Sequence, residues 1–218
     1  MSTGQWLIAP EGISWFFDAG ADSLDFAAAP EPVHARDLGE WLAARYERLD
    51  AAEATERDLT DALSLRAAID RLAIAAADRA PLDPDDVDTI NLFGATPDIP
   101  PALSGGRRQA GAGRLRIGQV LSTLARDAIA ILAVEPERIR RCDADDCRRV
   151  FRDESRTANR RWCSMQRCGN RAKVRAHRAR ASLKSEPLSR LAAAPAPTPV
   201  SGVGSREAAS EGMPTVPA

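Results

Sequence analysis

The chain has 218 residues, of which 44% are apolar and only 5% aromatic, with a formal net charge of −1. That length suits one medium domain, or one domain with a small module and a tail, and a core built from Ala, Leu, Ile and Val favours helices over sheets. The average charge conceals a polarity, because residues 138–180 hold 15 Arg and Lys against 5 Asp and Glu while the rest of the chain is acidic. Such a chain reserves one end for an anionic partner, the plainer alternative being a solvated basic face beside an acidic domain. Residues 1–10 lack a basic leader region and a long apolar run, and no stretch approaches the roughly 20 apolar residues of a membrane span. A cytoplasmic, reduced protein with no membrane partner is therefore expected.

In chain order, residues 13–29 read as irregular or short extended structure, with Trp15, Phe16 and Phe17 anchoring the N-terminus and Leu24-Asp25-Phe26 opening a helix. Leu38, Trp41, Leu42 and Leu49 at helical spacing predict a helix over 36–49. Ala62, Leu65, Ile69, Leu72 and Ala76 form one apolar stripe on a helix of about 55–79. Asp83-Pro84-Asp85-Asp86 is a helix start with a cap and a first-turn proline, from which Val87 and Ile90 point inward. Residues 94–114, rich in Gly, Pro, Ser and Arg, read as a long loop with a weak hairpin around Gly105-Gly106 and Gly111–Gly113. Ile117, Val120, Leu121, Leu124, Ala128, Ile131 and Leu132 then mark an amphipathic helix over about 117–134 that ends before Pro136.

These helices make a small domain, roughly 13–135. It holds no phosphate-binding glycine loop and no nucleophile elbow, its only histidine is His34, and no pair of acids is marked as general acid and base, so no enzyme is expected. Past Leu183 the composition lacks a core, and residues 184–218 read as a disordered Pro/Ala/Ser/Gly-rich tail.

The chemistry lies between. All four cysteines fall in one window, Cys142-x4-Cys147-x15-Cys163-x4-Cys168. Two paired knuckles let four thiolates converge tetrahedrally on one ion, and their softness favours Zn2+, although iron also accepts four thiolates. Four protein ligands leave no open position, so the site is structural. A window this small needs the metal to fold, with Val150, Phe151 and Trp162 as its mini-core. Basic residues surround it: Arg156, Arg160 and Arg161 between the knuckles, Arg167 beside the last cysteine, and Arg171, Lys173, Arg175, Arg178 and Arg180 after it. On a helix, Arg171, Arg175 and Arg178 share a face, a row that repels itself unless a polyanion such as DNA neutralises it.

Phe151, Asp153, Ser155-Arg156, Arg160-Arg161-Trp162-Cys163-Ser164 and Cys168-Gly169-Asn170-Arg171-x-Lys173 resemble the bacterial CGNR zinc-finger family over about 140–180, with the naming motif intact at 168–171. The preceding region looks like that family's usual partner, the ABATE domain of stress-induced transcription regulators, on Leu24-Asp25-Phe26, Asp37-Leu38, Trp41-Leu42, Leu65-Arg66 and Asn91; Ala27-Ala28-Ala29 stands where the family continues with a Val-Asn-Thr-like segment. The resemblance implies zinc-dependent DNA binding by a module at 138–181 and no established reaction.

The expected architecture is mainly α: a small helical domain, a four-cysteine zinc finger with a basic C-terminal helix, and a tail. The expected function is a DNA-binding transcriptional regulator whose N-terminal domain senses a signal or forms a homodimer. The alternative is an adaptor whose zinc module docks an acidic protein of the transcription machinery.

Overall fold

A computed structural model describes residues 4–101, 103 and 113–185. Two compact units are distinguished, Met1–His177 and Arg178–Ala218; the described part of the second, residues 178–185, is helical. Of the tail expected over 184–218, residues 184 and 185 are the last positions of that helix; the remainder, and most of the weak hairpin expected within the loop at 94–114, lie outside the described residues.

The first unit opens with a hairpin. Strand β1 (Gln5–Ile8) pairs antiparallel with β2 (Ser14–Phe17), Gln5 opposite Phe17 and Ile8 opposite Ser14. Alternation sends Leu7, Trp15 and Phe17 into the core and leaves Trp6, Ile8 and Phe16 outside. Strand β1 precedes the start assigned to the helical domain: four residues are too few to show a period of two convincingly.

Five helices follow: α1 (Asp22–Ala28), α2 (Ala35–Ala43), α3 (Glu56–Ala77), α4 (Pro84–Gly94) and α5 (Ile117–Val134). Helix α3 starts at a reciprocal cap, in which Thr55 accepts from the Asp58 N–H and Asp58 accepts from the Thr55 N–H. Helix α4 starts where Asp83 accepts from the Asp85 and Asp86 N–H groups, with Pro84 in the first turn. Helix α2 starts where Asp37 accepts from the Val33 and His34 N–H groups. The core is the seam between Leu65, Ile69 and Leu72 of α3 and Val120, Leu121 and Leu124 of α5, all at most 2% exposed. Ala62, Ala68, Ala125 and Ala128, also buried, let the backbones approach closely. Helix α5 is apolar and long enough by composition to cross a membrane, but it packs against α1, α3 and α4 as a core helix.

The helix expected over 36–49 ends at Ala43. The chain turns so that the Arg48 carbonyl accepts from the Leu115 N–H, which buries Leu49 by a bridge to the segment before α5. Gly39 of α2 lies directly against the Ala51 carbonyl, where any Cβ would collide.

After a 3-10 turn at Pro136–Arg138, β3 (Ile139–Arg141) pairs antiparallel with β4 (Val150–Arg152). Strand β3 packs on α3 and β4 on α1, so the cysteine-bearing segment up to His177 belongs to the same unit as the helices. Arg141 at the end of β3 forks onto both carboxylate oxygens of Asp78, the C-cap of α3, at 2.5 Å each. The Arg152 N–H donates to the Ala19 carbonyl, and Gly20, at φ +76°, sits where a Cβ would come 2.7 Å from the Arg152 carbonyl oxygen. Helix α6 (Asn170–Ser185) closes the described chain.

Candidate metal centre and basic surface

The four cysteines come from three short pieces of backbone. Cys142 follows β3, and its N–H donates to the Arg149 carbonyl, extending the β3–β4 ladder; Cys147 sits on the turn between the strands. Cys163 ends the loop after β4, and Cys168 lies in a π-helical turn, Met165–Gly169, that leads into α6. Their sulfurs lie within 4.8 Å of one another, three of the residues buried and Cys147 half-buried. Four thiolates at the usual Zn–S distance of about 2.3 Å stand ~3.8 Å apart. Here Cys147 and Cys163 are 3.7 Å apart and Cys163 and Cys168 3.5 Å.

The donor set also calls for a cation. Hydrogen bonds from the Cys147 and Cys163 thiols hold Cys142 well below the usual thiol range. Cys147 is pushed up to about 11 by its bond to Cys142, and Cys163, bonded to both, is pushed up as well. Four sulfurs brought this close repel one another as thiolates, and a divalent ion among them offsets that repulsion. These residues fit one structural Zn2+ and leave no protein position for a substrate.

The Cys168-Gly169-Asn170-Arg171 motif is explained residue by residue. Cys168 is a ligand. At Gly169 a Cβ would meet Met165 Sδ at 2.7 Å and Trp162 Cδ1 at 3.2 Å, so any other residue there must displace the exposed Met165 side chain and crowd the Trp162 ring. Asn170 Nδ2 donates to the Gln166 carbonyl at 3.2 Å, supporting the turn. Arg171 Nη2 donates to Cys168 Sγ at 3.3 Å, and its Nη1 pairs with Asp146 at 2.8 Å. A cation beside the thiolates offsets the negative charge that a tetrathiolate zinc retains.

The knuckle-joining loop is organised by Asp153, whose side chain is fully buried. Its Oδ1 accepts from the Ser155 N–H at 2.9 Å and its Oδ2 from the Arg160 N–H at 2.8 Å. Burial acts to raise its pKa, but those bonds and the nearby Arg140 outweigh it and hold the carboxyl below its usual value. Of the expected mini-core, Phe151 is fully buried, Val150 nearly so, and Trp162 half-buried.

The nine basic residues expected to contact nucleic acid divide into groups. Arg160 is half-buried and largely engaged within the protein: it donates to the carbonyls of Asp18, Trp162 and Cys163 and lies 4.3 Å from the Phe151 ring centroid. Arg167 is likewise withdrawn, 4.9 Å over the Trp15 ring with its side chain 19% exposed. Both looked like surface charge because nothing in a sequence reveals that distant carbonyls and rings converge on them. Arg161 pairs with Asp143 at 2.7 Å and stacks on Trp162 but stays exposed. Arg171 and Arg175 face Asp145 and Asp146, so the expected row is partly neutralised from within. Arg156, Lys173, Arg178 and Arg180 are exposed and make no ion pair with another described residue.

The sequence reading missed Arg149. It donates to the Ala28 carbonyl at 3.1 Å and lies 4.9 and 5.3 Å from the Phe17 and Trp15 ring centroids. Burial pulls its pKa down. Neighbouring aromatics in sequence were the available signal, but pairing them with an arginine 132 positions on needs the fold.

Two family descriptions match this chain: the CGNR zinc finger over residues 138–181, and ABATE, "Putative stress-induced transcription regulator", over residues 21–135. No curated protein matches it. With the latter match spanning more than half of its length and the former covering the cysteine centre, the chain belongs to the ABATE family and carries a CGNR zinc finger.

Proposed function

We propose that this protein is a DNA-binding transcription regulator in which zinc fixes the start of α6 and thereby presents basic side chains to duplex DNA. The observation that carries the reading is the composition of α6: Asn170–Ser185 holds Arg171, Lys173, Arg175, Arg178, Arg180 and Lys184 without one acidic residue. Lys173, Arg178, Arg180 and the loop residue Arg156 are the phosphate contacts; Arg171 and Arg175 reach DNA by exchanging Asp145 and Asp146 for phosphate. The protein acts in the cytoplasm and catalyses no reaction, and its N-terminal domain receives the signal. A single finger offers little contact area, commonly about 600–1,000 Å2, so tight binding calls for a homodimer.

The pairing of Arg171 and Arg175 with Asp145 and Asp146 also supports a second reading, since protein carboxylates already meet this surface. There, the module docks an acidic protein of the transcription machinery.

The test is fluorescence anisotropy of the zinc-loaded full chain on duplex DNA across a salt series. Each lost phosphate contact lowers the slope of log K against log salt by about 0.9. Lys173→Gln with Arg178→Gln is expected to lower it by about 2. Absence of binding at low salt overturns the DNA reading and favours the adaptor.

A further inference from the structure

A cleft of about 900 Å3 opens beside β1 and the C-terminal end of α2. That volume lies within the usual range of small-molecule sites. Gln5 and Trp6 of β1 form part of one wall, Trp41, Arg45 and Tyr46 another, and Ile99, Pro100 and Leu115 an apolar side.

Arg45 gives the cleft its chemistry. Its guanidinium carbon lies 3.7 Å over the Trp41 ring, and it donates to the Trp41 and Gly4 carbonyls at 3.3 Å each. No carboxylate among the described residues pairs with it at contact distance; Asp22 and Asp25 act on it only through space, and burial opposes its charge. A half-buried planar donor lining a cleft without an anionic partner is a receptor for a carboxylate. Tyr46 lines the same wall, and its phenol, protonated at neutral pH and raised further by burial, is a second donor. The charged lining residues balance, Asp22 and Glu47 against Arg45 and Arg48, so one added negative charge is tolerated better than several.

We propose that this cleft is an effector site for a small amphipathic monocarboxylate, the carboxylate held by Arg45 and Tyr46 and the apolar body lying against Ile99, Pro100 and Leu115. A molecule there touches β1, whose partner β2 carries Trp15 and Phe17 to Arg149 and Arg167 of the zinc module. The ligand site and the metal site thus share one hairpin. The inference rests on the sensing role given above to the N-terminal domain, but its test involves no DNA, so either can fail alone.

The experiment is saturation-transfer NMR and calorimetry on the zinc-loaded full chain, with 2-naphthoate as probe and 2-naphthamide as its uncharged analogue. The amide is expected to bind about tenfold more weakly, and Arg45→Gln to weaken naphthoate by about tenfold while leaving the amide unchanged. Tyr46→Phe, which keeps the packing, is expected to weaken naphthoate by about threefold, and it decides the matter if Arg45→Gln does not fold. No naphthoate binding, equal binding of the amide, or naphthoate affinity unmoved by the substitution that folds overturns the proposal.

Discussion

The Arg149 guanidinium lies 4.9 Å from the Phe17 ring centroid and binds the Ala28 carbonyl, joining the zinc module to the N-terminal hairpin and to the end of α1. A stacked, hydrogen-bonded arginine combines a cation–π contact with a charged bond to a carbonyl that otherwise stays unpaired. Arg149→Gln is expected to lower unfolding free energy by about 2 kcal/mol in urea titration. Arg149→Lys keeps the charge but not the planar stack, and is expected to recover less than half of that.

Metal removal is expected to reach beyond the cysteines. The Arg152 N–H bonds to Ala19, Arg160 to Asp18, and Arg167 covers Trp15, so the hairpin depends on the folded finger. In hydrogen exchange, chelation is expected to remove protection from β1–β2 as well as β3–β4 while α3 and α5 keep theirs. Loss confined to β3–β4 would show that the finger merely rests on the domain.

Asp153 is expected to be the most costly carboxylate to lose. Asp153→Ala leaves the Ser155 and Arg160 N–H groups without their acceptor and should cost about 3 kcal/mol, read by thermal or urea unfolding. Its folded pKa is lowered, so its contribution is present above the unfolded value and fades as pH falls through the folded one.

Asp25 behaves oppositely. It is 1% exposed, and burial pushes its carboxyl from 3.8 up to about 6 despite acceptor bonds from the Gly4 and Ala19 N–H groups. The folded chain holds this proton more tightly than the unfolded chain, so stability is lost as pH rises through that window, by about 3 kcal/mol. Carboxyl-carbon NMR is expected to place the Asp25 midpoint near pH 6; a midpoint at the ordinary value would mean that water reaches the group.

Much of this was legible before the fold. Helix α5 falls where Ile117 to Leu132 place their apolar period and Pro136 its stop, because a long amphipathic repeat and a breaker are local signals. The metal centre was readable for a similar reason, the two cysteine pairs standing alone in the chain. What stayed hidden depends on distant backbone. Leu49 leaves the helical repeat to bridge Leu115, Arg160 turns inward to three carbonyls, and Arg45 finds its cleft among segments 40 to 70 positions away from it. Charge alone marks arginines as candidates for an anion; only the fold says which have already found a partner.

The central claim is that zinc builds the DNA-binding surface, and its most direct measurement is fluorescence anisotropy of the full chain on duplex DNA at matched salt, zinc-loaded against chelated and against Cys163→Ser. The account predicts salt-steep binding by the zinc-loaded protein that is lost in both metal-free forms. Equal affinity with and without the metal would contradict it, reducing the DNA contact to the charge of α6 alone.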